Sequence, residues 1–197
     1  MTPDRAKRSH PRFFVALDLP LELRRLTSGW GREVARGSNS MRPVPARNIH
    51  VTLAFVGERP AAEISPLSQA LRMLGASAAG RPPLALSLGA PVWLPRRRPR
   101  ALALEIHDDG GRLRELQAEL AGLLGEATGW RPERAFRPHL TAVRLGRGAP
   151  AAGPALPVSP AAEFVPASVS LVLSRLTPEG AEYEPLETVN PPGKSPP

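Results

Sequence analysis

Residues 48–55, NIHVTLAF, contain a phrase that the chain repeats at residues 139–142, HLTA. Two of the four histidines, His50 and His139, are followed by a threonine two positions later. In a strand, side chains at positions i and i+2 point to the same face. Each phrase therefore predicts a strand that presents one imidazole and one hydroxyl together, with the residues between them turned toward a core.

The segments around the two phrases also repeat. FFVALD, a helical pattern and then IHVTLAF form one unit, and ALALEI, a helical pattern and then PHLTAVR form the other. The two acidic residues that end the first strands, Asp18 and Glu105, precede their histidines by nearly the same distance. This repeat predicts an α+β fold with a duplicated, two-lobed β-α-β architecture and antiparallel sheets flanking a central cleft, where a pseudo-two-fold axis brings the two phrases together.

The remaining elements follow from periodicity and turn residues. Leu23, Leu26, Trp30 and Val34 recur at helical spacing after Pro20, and Asp108 or Asp109 is suited to cap a later helix. We expect a flexible tail at 1–10, one bilobal domain at 11–190, a surface loop at 146–162 and a disordered tail at 191–197. Helices are expected at about 60–75 and 110–125, and further strands at 84–88, 92–94, 101–106, 138–145, 165–175 and 183–189.

Composition excludes several classes of protein. The 197 residues include no cysteine, which excludes a disulfide framework and any thiolate metal site. No apolar run is long enough to span a membrane, and residues 1–12 lack the apolar segment of a signal peptide. We therefore expect a cytoplasmic monomer with no membrane partner.

The chain is strongly basic, with a formal net charge of +8. This charge favours polyanionic partners such as RNA. Lysine occurs only at Lys7 and Lys194, and the abundance of Arg, Ala, Gly and Pro is typical of a GC-rich coding sequence, so the charge alone indicates little. The connector 95–100, PRRRPR, is suited either to follow an RNA backbone or to form a solvated hairpin tip.

Two imidazoles and two hydroxyls are the groups that acid-base chemistry on a phosphate needs. Histidine has an unperturbed pKa of about 6.5, so one imidazole can donate a proton while the other accepts one near neutral pH. Two histidines without clustered carboxylates support a metal site poorly, and we expect neither a metal nor a cofactor.

Several stretches of the chain resemble the two-histidine phosphoesterases, and most closely their RNA 2′,3′-cyclic phosphodiesterase (2′-5′ RNA ligase-like) family. The resemblance covers about residues 12–188 and departs from the family pattern at Met41–Pro45, which lacks an aromatic residue, and at Ala142, where a larger residue is common. The matching stretches are 14–20 (FVALDLP), 48–58 (NIHVTLAFVGE), 137–141 (RPHLT), 171–176 (LVLSRL) and 183–186 (YEPL).

The resemblance implies hydrolysis of RNA 2′,3′-cyclic phosphate ends to 2′-phosphomonoesters without a metal. It makes His50 the proton donor and His139 the proton acceptor, with Thr52 and Thr141 on the phosphate oxygens. Arg144 is a candidate because the family often has an arginine there, although simple alternation places it on the face opposite His139. Arg134 and Arg137 precede the second phrase and are further candidates for binding the substrate.

Other interpretations remain open at the level of sequence. The family resemblance also allows 2′-5′ RNA ligase or 2′-5′ phosphodiesterase activity, and a non-catalytic RNA- or nucleotide-binding module could keep the same cleft. Phe55 lies on the core side of its strand by alternation, which favours packing over stacking against a base.

Overall fold

The computed structural model describes residues 11–146, 156–178 and 180–193. Nine strands and three helices lie within these ranges, and none of these helices is long and apolar enough to cross a membrane. The helices are α1 (Leu21–Val34), α2 (Ile64–Ala78) and α3 (Arg112–Thr128). The strands are β1 (Arg12–Asp18), β2 (Met41–Pro43), β3 (Val51–Glu58), β4 (Leu86–Leu94), β5 (Ala101–His107), β6 (His139–Leu145), β7 (Glu163–Phe164), β8 (Ser168–Thr177) and β9 (Gly180–Val189).

All nine strands belong to one antiparallel sheet, in which eight follow the order β7-β4-β5-β6-β3-β1-β8-β9 and β2 pairs with β6. The order is symmetric about the junction of β6 and β3, because β5 and β4 flank β6 as β1 and β8 flank β3. The predicted two-lobed α+β fold is therefore confirmed. The two sheets that were predicted are halves of one sheet, which is continuous through this junction.

Helices α1 and α3 each pack against the sheet of the lobe opposite to the one whose first strand they follow. Helix α1 follows the first strand of one lobe but packs against β6 of the other, and α3 likewise packs against β3. Gly31 of α1 lies so close to β6 that an added Cβ would come within 2.6 Å of the Ala142 carbonyl oxygen. Each lobe therefore needs the other lobe's helix to bury its sheet.

One continuous apolar core lies between the sheet and the helices. It takes alternate residues of β1, namely Phe13, Val15 and Leu17, and the apolar stripe Leu113, Leu116 and Leu120 of α3. The other face of the sheet is concave and carries a small separate cluster of Phe14, Ala16 and Val172 with Tyr183 against it. Alternation in β1 thus directs one set of side chains into the core and the other set to the face that carries the His and Thr side chains of the two repeated phrases.

The predicted element boundaries shift by a few residues, and the prediction of separate strands at 84–88 and 92–94 is wrong, because one strand, β4, runs through both. Asp108 caps α3 as predicted, because its Oδ2 accepts hydrogen bonds from the backbone N–H groups of Leu113 and Arg114. The expectation of a disordered tail is corrected for residues 191–193, since Pro191 and Pro192 are buried. Residues 1–10, 194–197 and the part of the expected surface loop at 147–155 lie outside the described residues.

Candidate active site

The two repeated phrases meet at the junction of the lobes. Val51 of β3 pairs with Leu140 of β6 in antiparallel register. One step along this register sets His50 beside Thr141 and His139 beside Thr52, all on the concave face. Diagonal neighbours across such a pair have Cα atoms roughly 7–8 Å apart, so the two imidazoles flank a space of the size of a phosphate group.

Both imidazoles are oriented by the same contact. His50 Nδ1 lies 2.9 Å from the Asn48 carbonyl oxygen, and His139 Nδ1 lies 2.7 Å from the Arg137 carbonyl oxygen. A carbonyl can only accept, so Nδ1 carries the proton in both rings and Nε2 is left for chemistry. His50 Nε2 also lies 3.1 Å from the Thr52 hydroxyl oxygen, which donates to it when the ring is neutral.

A bulge after each threonine changes which face the following residues occupy. In β3, Ala16 and Val15 of β1 pair with Thr52 and Ala54, so Leu53 is an extra residue. In β6, Ala103 and Leu102 of β5 pair with Thr141 and Val143, so Ala142 is extra. Two consecutive residues then enter the core, and the third returns to the concave face.

The bulges determine which face of the sheet the side chains of Phe55 and Arg144 occupy. The expectation that Phe55 packs in the core is wrong, because the residue is 71% exposed and projects with His50 and Thr52. Arg144 lies on the concave face because of the matching bulge at Ala142. Its positive charge is close enough to His50 to lower the pKa of that imidazole. Both residues stand five positions after their histidine, at matching places in the two lobes.

His50 is enclosed by aromatic rings. Its imidazole stacks on Phe14 with ring centroids 4.8 Å apart and meets the edge of Tyr183 at 5.5 Å. Burial lowers the pKa of His50 to about 4, and the positive charges of Arg144 and His139 act in the same direction. The carboxylate of Asp18 opposes them and raises the pKa, since Leu17 pairs with Val51 and Asp18 therefore follows beside His50.

His139 has a different neighbourhood. Burial lowers its pKa as well, and the positive charge of Arg137 adds to this effect. Glu105 pairs directly with His139 across the strands, but its carboxylate accepts a hydrogen bond of 2.5 Å from Arg137, which lowers the pKa of Glu105. The acidic neighbour of His139 is thus neutralised by an arginine, whereas the acidic neighbour of His50 is not.

The other sequence candidates are placed less centrally. Arg137 is engaged by Glu105 beside His139, and Arg134 is exposed in the loop before β6. Arg96, Arg97 and Arg98 form the exposed tip of the β4–β5 hairpin. Among the described residues, no group of three or more His, Asp or Glu side chains is arranged to hold a metal ion.

Sequence reasoning missed the groups around His50. Asp18 was noticed only as the end of a repeated unit, although its Oδ2 accepts hydrogen bonds from Ser168, at 2.7 Å, and from Ser170, at 2.5 Å. Tyr183 was noticed only as part of a closing strand. Asp18 could have been found from the repeat, because Ala16-Leu17-Asp18 beside the first phrase matches Ala103-Leu104-Glu105 beside the second.

Known proteins are similar to this chain in sequence. A model of the 2′-5′ RNA ligase superfamily matches residues 22–178. A Thermus thermophilus protein named RNA 2′,3′-cyclic phosphodiesterase is 33% identical over 186 residues, covering 89% of this chain and 88% of the relative. An Escherichia coli protein of the same name is 34% identical over 134 residues, covering 68% of this chain and 71% of the relative.

Solved structures give the same result. A crystal structure from Thermus thermophilus superposes with a TM-score of 0.78 and 28% identity, covering 93% of this chain and 100% of its own. The crystal structure of Escherichia coli LigT complexed with 3′-AMP gives a TM-score of 0.70 and 27% identity, covering 91% of this chain and 97% of its own. The chain therefore belongs to the 2′-5′ RNA ligase superfamily.

Proposed function

We propose that this protein is a hydrolase that opens RNA 2′,3′-cyclic phosphate ends to 2′-phosphomonoesters, using its two histidines and no metal. The observation that carries the proposal is the pairing of β3 with β6, which sets two imidazoles and two hydroxyls around one phosphate-sized space. The similarity to relatives named RNA 2′,3′-cyclic phosphodiesterase supports the same activity.

In the proposed reaction a water molecule attacks phosphorus opposite the 3′-oxygen. His139 Nε2 takes a proton from the water as the new P–O bond forms. The bond between phosphorus and the 3′-oxygen breaks, and His50 Nε2–H gives its proton to that oxygen. The Thr52 and Thr141 hydroxyls and the Arg144 guanidinium bind the non-bridging oxygens and stabilise the charge that develops on them.

The surroundings of the two histidines differ, and burial, the largest cause, lowers the pKa of both imidazoles, that of His50 to about 4. The Asp18 carboxylate raises the pKa of His50, and the Arg137 guanidinium lowers the pKa of His139. An anionic phosphate bound between the rings raises the pKa of both imidazoles. In the proposed reaction, His50 in the complex with substrate carries the proton that it donates, with the Asp18 carboxylate beside it, and His139 is neutral and accepts one.

Phe55 and Arg144 extend the site on opposite sides. Phe55 lies beyond Thr52 along β3, and Arg144 lies beyond Thr141 along β6, which runs the other way. An exposed aromatic ring on a phosphate-binding face is suited to stack against a base. We place the base of the terminal nucleotide on Phe55 and a phosphate oxygen on Arg144.

The direct experiment incubates the purified protein with a nucleoside 2′,3′-cyclic phosphate in the presence of a chelator and separates the 2′- and 3′-phosphate products. We expect the 2′-phosphate alone, at a rate that the chelator does not change. Exclusive formation of the 3′-phosphate would contradict the proposed leaving group. Loss of activity with chelator and its return with a divalent ion would contradict the two-histidine mechanism.

A further inference from the structure

A cavity lies beside His50, and its lining includes neither His139 nor the threonines of the two repeated phrases. Its volume is about 320 Å³, and its walls come from β1, β8, β9, helix α1 and the turn that precedes β3. The rings of His50, Phe14 and Tyr183, which contact one another, form part of its lining. The polar groups that line it are those of Asp18, Arg24, Arg47, Ser168, Ser170 and Thr188.

Arg24 is the group in this cavity that lacks a partner. Its Nε is buried, and no described residue accepts a hydrogen bond from it. A buried guanidinium N–H without an acceptor is unfavourable, and the half-buried side chain that carries it lines the cavity, where an anion can approach the guanidinium. The neighbouring Arg25, on the same helix, is exposed and lies 4.0 Å from the carboxylate of Glu22.

The remaining polar groups favour an anion rather than a neutral ligand. Arg47 is exposed at the mouth of the cavity, and no ion pair is seen for it among the described residues. Two guanidiniums face one carboxylate, and Asp18 already receives hydrogen bonds from two serines. Because Ser170 donates to Asp18, its oxygen accepts the hydrogen bond from Thr188, so the hydroxyl protons of this wall are engaged and the two guanidiniums are the groups that can donate to a bound oxygen.

The stereochemistry of the substrate identifies which anion would reach this side. The 3′-oxygen that leaves is protonated by His50, and its carbon is bonded to C4′, which carries C5′. The base is attached on the other side of the ribose. The 5′ substituent of the terminal nucleotide is therefore directed toward the cavity beside His50, while the base is directed toward Phe55.

We propose that this cavity binds the phosphate on the 5′ side of the terminal nucleotide, through Arg24 and Arg47. The inference rests on the proposed function. It makes the preferred substrate an RNA end of at least one 5′-phosphorylated nucleotide, rather than a nucleoside cyclic phosphate with a free 5′-hydroxyl.

The test compares two substrates that differ only in this group, uridine 2′,3′-cyclic phosphate with and without a 5′-phosphate. We expect the 5′-phosphate to raise kcat/KM by about tenfold or more at low salt, as charge-assisted hydrogen bonds do. Arg24→Met and Arg47→Met should each bring the ratio of the two kcat/KM values toward one. Arg25→Met makes the same change of charge on the same helix and should keep the ratio of the wild type.

The outcomes separate the two proposals. If the wild type hydrolyses neither substrate, the proposed function itself fails. If it hydrolyses both at equal efficiency, or if the advantage of the 5′-phosphate survives in both Arg24→Met and Arg47→Met, the cavity is not the phosphate site. Because Arg47 is exposed, its variant keeps the test open even where Arg24→Met fails to fold.

Discussion

The two lobes present the same backbone with different side chains. Each has a His-x-Thr strand, a bulge after the threonine, an alanine beside the threonine and an acidic residue beside the histidine. The first lobe then offers Phe55 and a carboxylate held by serines, where the second offers Arg144 and a carboxylate held by Arg137. The repeated backbone thus brings the same two side chains of each phrase to one face, and the two lobes differ in what surrounds them.

The different partners of Asp18 and Glu105 also explain why the site is open beside His50. Asp18 of the first lobe lines a cavity, while the matching Glu105 is occupied by a guanidinium from its own lobe. A nucleotide extending from the phosphate thus finds open space beside His50. Five predictions test this comparison, beginning with the largest expected effect.

Removal of either imidazole should have the largest effect. His50→Ala and His139→Ala should each lower kcat by about 10²–10⁴-fold, the usual range for a general acid or base. The double variant should lose less than the product of the two losses, because both groups act on one transition state. Single-turnover rates check this, and the parent fold is checked by circular dichroism. A variant that loses less than tenfold would remove that histidine from the chemistry.

Arg144→Met should come next. Loss of a donor to a developing phosphate charge lowers kcat by about 10²-fold. Arg42 pairs directly with Arg144 across the neighbouring strand and is exposed, so Arg42→Met is a matched change of charge. Steady-state kinetics on a nucleoside 2′,3′-cyclic phosphate should show a much smaller effect for Arg42→Met. Equal losses would indicate a general effect of charge and not a contact of Arg144.

Phe55→Ala should act on binding of the base. Stacking of one base is worth about 1–3 kcal/mol, so kcat/KM should fall by about tenfold or more for nucleoside substrates. A ribose 2,3-cyclic phosphate without a base should be affected little, which makes it the control substrate. The same loss on both substrates would place the role of Phe55 elsewhere.

The basic hairpin should contribute a smaller effect that depends on salt. Neutralising Arg96, Arg97 and Arg98 together should weaken affinity for longer RNA and flatten its dependence on salt concentration, with little effect on a mononucleotide. Titrations at several salt concentrations measure this. A slope equal to that of the wild type would make the hairpin tip a solvated turn with no contact to RNA.

The smallest effects should be shifts of the pH profile. Asp18→Asn removes the charge that raises the pKa of His50, so the acid loses its proton at lower pH and the alkaline limb of kcat moves down. Glu105→Gln leaves Arg137 unneutralised beside His139, which lowers the pKa of the base and moves the acidic limb down. Since the pKa of His50 in the free enzyme is about 4, the optimum of kcat/KM should lie below pH 6.5. A shift of the acidic limb by Asp18→Asn would reverse the assignment.

Regular alternation of side chains correctly predicts the orientation of the first three residues of each repeated phrase. His50 and Thr52 share a face, and Val51 enters the core, because the strand is regular there. Phe55 was misplaced because a bulge adds one residue and inverts the alternation beyond it. The repeat could have indicated that Phe55 and Arg144 occupy equivalent positions, because both have the same offset from their histidines.

Tertiary contacts account for what the sequence could not show. Asp18 gains its serine partners from β8, 150 residues further along the chain, and the cavity beside His50 draws its walls from five separate elements. Tyr183 meets His50 only because β9 completes that edge of the sheet. No local pattern in the sequence records such distant neighbours.

The most direct test of the central claim, that His50 is the acid and His139 the base, changes the leaving group. The substrate is a phosphodiester whose departing oxygen is acidic enough to leave without a proton, such as a nitrophenyl ester. It should restore much of the kcat lost in His50→Ala and little of that lost in His139→Ala. Recovery of His139→Ala alone would reverse the two roles, and recovery of neither variant would show that the histidines bind the phosphate without transferring protons.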